Sequence, residues 1–136
     1  MEQVVRRTIR IAAALIDDEA GRLLLVRKVG TNWFMQAGGK IEDGESALRA
    51  LQRELIEEIG LLICAKDVLH LGRFSAPAAN EAGFIVEAEV FHVRVDSSIT
   101  AQAEIEEAVW VSHAEAHMLP LAPLTRDHIL PLSQTL

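Results

Sequence analysis

Gly39-Lys40-Ile41-Glu42-Asp43-Gly44-Glu45-Ser46, running on through Ala47-Leu48-Arg49-Ala50-Leu51-Gln52-Arg53-Glu54-Leu55-Ile56-Glu57-Glu58-Ile59-Gly60-Leu61, decides how this chain is read. Leu48, Leu51, Leu55 and Ile59 recur at helical spacing and mark one buried face. Asp43, Glu45 and Ser46 supply acidic and capping residues at the start, and Gly60 suits the left-handed residue that stops a helix. Glu54, Glu57 and Glu58 stand at i, i+3 and i+4, so the spacing predicts three carboxylates on one face, presented outward. Such a cluster repels itself unless a hard cation is shared, and Mg²⁺ takes oxygen ligands of this kind. A plain solvated acidic face has the same spacing. The neighbours favour the cation: Gly38-Gly39 lets backbone turn sharply and approach something closely. Glu45, eight residues before Arg53, can pair with it and hold the loop against the helix.

Working outward, Thr8–Asp17 reads as a strand, Asp17–Gly21 as a turn and Arg22–Lys28 as the returning strand of a hairpin. Trp33–Ala37 is a short apolar stretch. Beyond the helix, Val68–Phe74 and Phe84–Val95 read as strands separated by a loop from Ser75 to Gly83, and Ala108–Val111 as a further short strand. Ser112–Met118 suggests a short helix with a capping box from Ser112 to Glu115, and Thr125–Leu130 a last helical turn. Strands and helices without regular βαβ alternation predict an α+β fold, helices on a mixed sheet, in one domain spanning residues 1–136.

Half of the 136 residues are hydrophobic, enough for a core. The longest apolar run, Ile11–Ile16, is far short of the roughly 20 residues that span a bilayer. Met1–Arg10 lacks a signal-type apolar segment, so the expectation is a soluble, cytoplasmic protein without membrane partners. The net charge of −7 argues against a nucleic-acid groove, which carries a basic stripe. It is compatible with a polyanionic small molecule if divalent cations sit between it and the acidic site. Cys64 is expected as a small buried apolar residue. The histidines show no ligand pattern.

Gly39, Glu45, Arg53-Glu54-Leu55, Glu57-Glu58 and Gly60-Leu61 resemble the Nudix box, G-x5-E-x7-R-E-U-x-E-E-x-G-U, at every specified position. The box covers 23 residues, and the order of elements around it is similar to that of the family over nearly the whole chain. The resemblance implies an α/β/α sandwich and hydrolysis of a diphosphate linkage with Mg²⁺, or Mn²⁺ in its place. It implies that Glu57, Glu58 and the Gly38 carbonyl are metal ligands, and that Glu54 binds metal or acts as base. It implies that Glu45 and Arg53 form a structural ion pair.

The family often adds a later glutamate. Glu104, six residues before Trp110, is the expected one as ligand or base, with Glu107 next. Lys40, Arg27 and Lys28 are expected phosphate contacts, Phe34 or Trp33 an apolar contact to a base, and Asn80 a polar one. Ala37 replaces the proline that many members carry there, which bears on substrate detail. The implied substrate is a nucleotide, with a (deoxy)nucleoside triphosphate favoured over ADP-ribose or another nucleoside diphosphate sugar. A non-catalytic nucleotide-binding module and a diphosphate isomerase are the rival readings. A homodimer is the expected assembly, if any.

Overall fold

A computed structural model describes residues 7–136. Among these residues seven strands form one mixed sheet: β1 (Arg7–Asp17), β2 (Leu23–Lys28), β3 (Phe34–Met35), β4 (Gly38–Lys40), β5 (Val68–Pro77), β6 (Phe84–Arg94) and β7 (Ile105–Val111). The main order is β3-β2-β1-β6-β5, with β4 paired to β1 and β7 to β2. β1 and β6 run parallel over their whole length, and the remaining pairs are antiparallel. The α+β architecture and the mixed sheet are as the sequence predicts.

The near-continuous apolar composition of β1 and β2 follows from burial on both faces. Alternation sorts the side chains. Ala12, Ala14, Ile16, Leu24 and Val26 face one layer, with Ala50, Leu51, Leu55 and Ile59 of helix α1 (Ala47–Ile59). Leu15, Leu23, Leu25, Ala88 and Val90 face the other, under Ala116 of α2 (His113–Ala116) and Leu124, Ile129 and Leu130 near the C-terminus. There a wide turn, Thr125–Ile129, closes with a hydrogen bond from the Leu130 amide to the Thr125 carbonyl and runs into α3 (Leu130–Ser133). Helices thus cover both faces of the sheet.

Three expectations are corrected. The loop expected to start at Ser75 starts later, because Ser75–Pro77 pair with Ile85–Glu87. Pro77 is tolerated because β5 lies at the sheet edge, where a missing N–H breaks no ladder. The last strand begins at Ile105, three residues earlier than its β-branched core suggested. Cys64 is exposed, because Ile63 takes the buried slot and Cys64 opens a single helical turn, Ala65–Asp67.

Candidate active site

α1 starts where Ser46 Oγ accepts the Arg49 amide at 3.1 Å. It stops at Gly60, whose φ of 67° lets its amide return to the Ile56 carbonyl at 3.1 Å. The loop before it is tied down by one residue. Arg53 donates to both Glu45 oxygens at 2.9 Å, to Glu54 Oε1 at 2.7 Å and to the Lys40 carbonyl at 3.1 Å. Glu45 also accepts the Glu42 amide at 3.0 Å. The Arg53 guanidinium, aided by that amide, holds the Glu45 carboxyl down at about 2. A fork held at two teeth fixes both distance and direction, so Glu54 has one place to be.

Gly38 and Gly39 are required for opposite neighbours. Gly38 has a φ of 148°, and a Cβ there would drive into the Ala12 carbonyl of β1. A Cβ on Gly39 would meet the Glu54 carboxylate. The two glycines therefore let β4 slip between β1 and α1, bringing backbone against the acidic side chains.

The three helix glutamates do not share one outward face, contrary to the expectation. Glu57 is exposed, Glu54 is half-buried, and Glu58 is only 2% exposed. Glu58 follows Leu51 and Leu55 at spacings of seven and three, which places it on the core side of the helix. Its Oε1 accepts the Gly38 amide at 2.9 Å, while its Oε2 is sealed from solvent with no hydrogen-bond partner among the described residues. Burial pushes the Glu58 carboxyl up to about 7, against the pull of the Gly38 amide and Lys28. Burial also raises Glu54, with Glu57 adding to it and Arg53 opposing.

Orphaned buried carboxylate oxygen is uncommon, because the uncompensated group costs free energy. The oxygen groups nearby are hard donors: Glu54 and Glu104 act on Glu58, and Glu57 acts on Glu54. Such a set fits a small divalent cation, which would partner Glu58 Oε2 and favour the ionised carboxyls. Among the described residues the acidic side chains are not gathered into a ready cage; Glu54 is turned to Arg53 and Glu58 to Gly38.

Glu104 stands at the edge of this group, mostly exposed, with Lys28 Nζ 3.5 Å from its Oε1. The residue before it, Ala103, has a φ of 54°, a strained value for alanine. The chain is also fastened there by the Val29 amide on the Glu104 carbonyl at 2.8 Å. Lys28 follows a register shift between Arg27 and Lys28 in the pairing of β2 with β7. A bulge of this kind re-aims a side chain. Lys28 lies near Glu54, Glu58 and Glu104 and also lines the cleft beside Gly38 and Gly39, so it joins the carboxylates to that cleft.

The cleft has a cavity volume of about 160 Å³ and is open to solvent. Ile9, Ile11, Met35 and Val86 give it apolar walls, Gly38 and Gly39 lie at its floor, and Lys28, Lys40 and Asn80 bring polar groups. Two expected contacts are corrected. Phe34 is buried in the core layer with Leu25 and Leu121, on the side of the sheet away from α1, where its backbone is bonded to Pro120 and Ala122. Arg27 is spent on Glu107 Oε1 at 2.9 Å and the Thr31 carbonyl at 2.8 Å, and it does not line the cleft. Glu107 is thereby a partner of Arg27. Sequence reasoning missed Gln36 and Thr125, both buried at the cleft. The signal for Gln36 was present: one amide inside the apolar stretch Trp33–Ala37.

Residues 7–132 match the NUDIX domain. Over 124 residues, 86% of this chain and 85% of the relative, the sequence is 36% identical to the CTP pyrophosphohydrolase of Escherichia coli strain K12. It is 33% identical over 76 residues, 53% of this chain and 56% of the relative, to the 8-oxo-dGTP diphosphatase of Haemophilus influenzae strain Rd. Among solved structures, the MutT protein of Methanosarcina mazei Go1 superposes with a TM-score of 0.78 at 23% identity, covering 98% of this chain and 97% of that one. With the family match spanning nearly the whole length and the acidic helix, glycine pair and ion pair in place, the chain belongs to the Nudix hydrolase family.

Proposed function

We propose that the chain hydrolyses nucleoside triphosphates to a monophosphate and pyrophosphate, with Mg²⁺ as the divalent cation. The observation that carries this reading is Glu58 Oε2, a carboxylate oxygen buried without a partner among the described residues, near the carboxylates of Glu54 and Glu104. Glu54, Glu57, Glu58 and the Gly38 carbonyl would hold the cation, and Glu104 would join them. When bound, the ion supplies charge to polarise the phosphoryl oxygens and acidify the attacking water.

The residues of the chain do the rest. Lys28 and Lys40, which line the cleft, meet the phosphates. Glu54, raised by burial and fixed by Arg53, accepts the proton of the attacking water. Water oxygen bonds to phosphorus as the bridging P–O bond breaks, and pyrophosphate leaves with the bridging oxygen. The apolar walls hold the base, with Asn80 as a polar contact at the rim. The similarity to proteins named CTP pyrophosphohydrolase and 8-oxo-dGTP diphosphatase supports a triphosphate over a nucleoside diphosphate sugar.

The products decide the matter. A triphosphate panel with Mg²⁺ is expected to yield pyrophosphate and the matching monophosphate. Cleavage of ADP-ribose to AMP and ribose 5-phosphate, with no turnover of triphosphates, would overturn this choice of substrate.

A further inference from the structure

We propose that Lys28 is an exchangeable counter-ion of Glu104, and that substrate phosphate draws Lys28 away and so releases Glu104 to the cation. The inference rests on the metal-dependent reading of the site. Two cation–carboxylate pairs stand side by side where β2 meets β7, and they differ in kind. Arg27 donates to Glu107 Oε1 at 2.9 Å and to the Thr31 carbonyl at 2.8 Å, so its guanidinium is fixed at both ends. Lys28 Nζ lies 3.5 Å from Glu104 Oε1, a longer contact and its one ion pair among the described residues. The Glu104 side chain is 62% exposed. An exposed pair of this kind is weak and exchanges readily.

The backbone beneath the Lys28 pair is held while the side chain is not. The Lys28 carbonyl accepts the Thr31 amide at 3.1 Å and the Thr31 hydroxyl at 2.9 Å. The next residue, Val29, donates its amide to the Glu104 carbonyl at 2.8 Å. The register shift after Arg27 aims Lys28 at the cleft, which it lines together with Lys40. A lysine ammonium rides on a flexible four-carbon stem with three rotatable donors. From this anchored base it has two destinations, the Glu104 carboxylate and a phosphate in the cleft. An ammonium and a divalent cation on one carboxylate repel each other, so they are alternatives at Glu104. A polyphosphate carries more charge than one carboxylate and wins the ammonium. Lys28 therefore weakens cation binding until phosphate arrives, and then couples the two.

The test reads binding of Mn²⁺ alone, by loss of the free-ion electron paramagnetic resonance signal, so turnover does not enter. Lys28→Met is expected to tighten Mn²⁺ binding by about tenfold, the scale of removing a unit charge close to a divalent ion. Lys40→Met takes the same charge from the same cleft without freeing a carboxylate, and should change Mn²⁺ affinity by about twofold at most. Lys28→Arg keeps the charge and should bind Mn²⁺ as the wild type does, or more weakly. In a Glu104→Gln background the gain from Lys28→Met should shrink to about twofold or less, because the carboxylate it would free is gone. With a triphosphate and Mg²⁺, Lys28→Met should raise KM, opposite in sign to its effect on the metal. Melting temperatures check folding, and Lys28→Gln carries the same comparison if Lys28→Met does not fold. No gain in Mn²⁺ affinity from Lys28→Met, an equal gain from Lys40→Met, or a gain undiminished by Glu104→Gln would overturn the proposal. A wild-type protein that binds no Mn²⁺ would sink the underlying metal reading as well.

Discussion

Glu58 occupies a core position on α1, where burial holds its carboxyl at about 7 against an ordinary 4.5. The folded state therefore binds more protons than the unfolded chain between those values. The neutral form's advantage is fully present below pH 4.5 and is lost as pH rises through about 7. That window is worth about 3 kcal/mol at most, at about 1.4 kcal/mol per unit. Glu45, lowered to about 2, has the opposite sign, but its window lies below pH 4.5 and does not overlap. The cation-free protein should melt at a lower temperature at pH 8 than at pH 5.5, and Mg²⁺ should raise the pH 8 value. Glu58→Gln should remove most of the pH difference while abolishing activity. A Glu58→Gln protein with the wild-type pH profile would show that the titrating group lies elsewhere. The paired glycines give a second prediction at this scale. Gly38→Ala presses on β1 backbone and should unfold the protein, whereas Gly39→Ala presses on the Glu54 carboxylate. Gly39→Ala should keep most stability and lose activity by about 100-fold, the scale of displacing a group that orients a metal site. The reverse order in thermal melts and rates would contradict these placements.

At the scale of elements, α1 was legible because its start, stop and apolar spacing agree, and the observed cap at Ser46 and the left-handed Gly60 are the expected ones. The capping box at Ser112 and Glu115 was equally local and equally readable. Glu58 was misread because three carboxylates at i, i+3 and i+4 look alike in sequence; the heptad from Leu51 to Glu58 held the distinction. Phe34 and Arg27 were misassigned because a two-residue strand has no period, and because the bulge after Arg27 turns only Lys28 to the cleft. Gln36 and Thr125 could not be joined from sequence, since the hydrogen bond from the Thr125 hydroxyl to Gln36 Oε1 links residues that stand 89 apart along the chain. The loop before β7 supplies the prediction here. Glu104 faces Lys28 near the acidic group, while Glu107 is paired with Arg27. Glu104→Gln should lower kcat by about tenfold to 100-fold with KM little changed. Glu107→Gln should act chiefly on thermal stability. Equal and negligible effects on kcat would remove Glu104 from the site.

For the molecule as a whole, the sheet separates two tasks. One face buries α1 so that its carboxylates meet β4, and the other is covered by the C-terminal turns, from which Thr125 reaches the cleft. The acidic balance of the chain, −7, sets it against polyanions unless a cation intervenes, so the charge and the orphaned Glu58 oxygen point to the same requirement. No described helix is long and apolar enough to cross a membrane. The most direct measurement is pyrophosphate release from a nucleoside triphosphate by protein stripped with EDTA, then assayed with and without added Mg²⁺. The account predicts no turnover in the stripped sample and full recovery on adding Mg²⁺, with none recovered by Glu58→Gln. Undiminished turnover in metal-free buffer would contradict it.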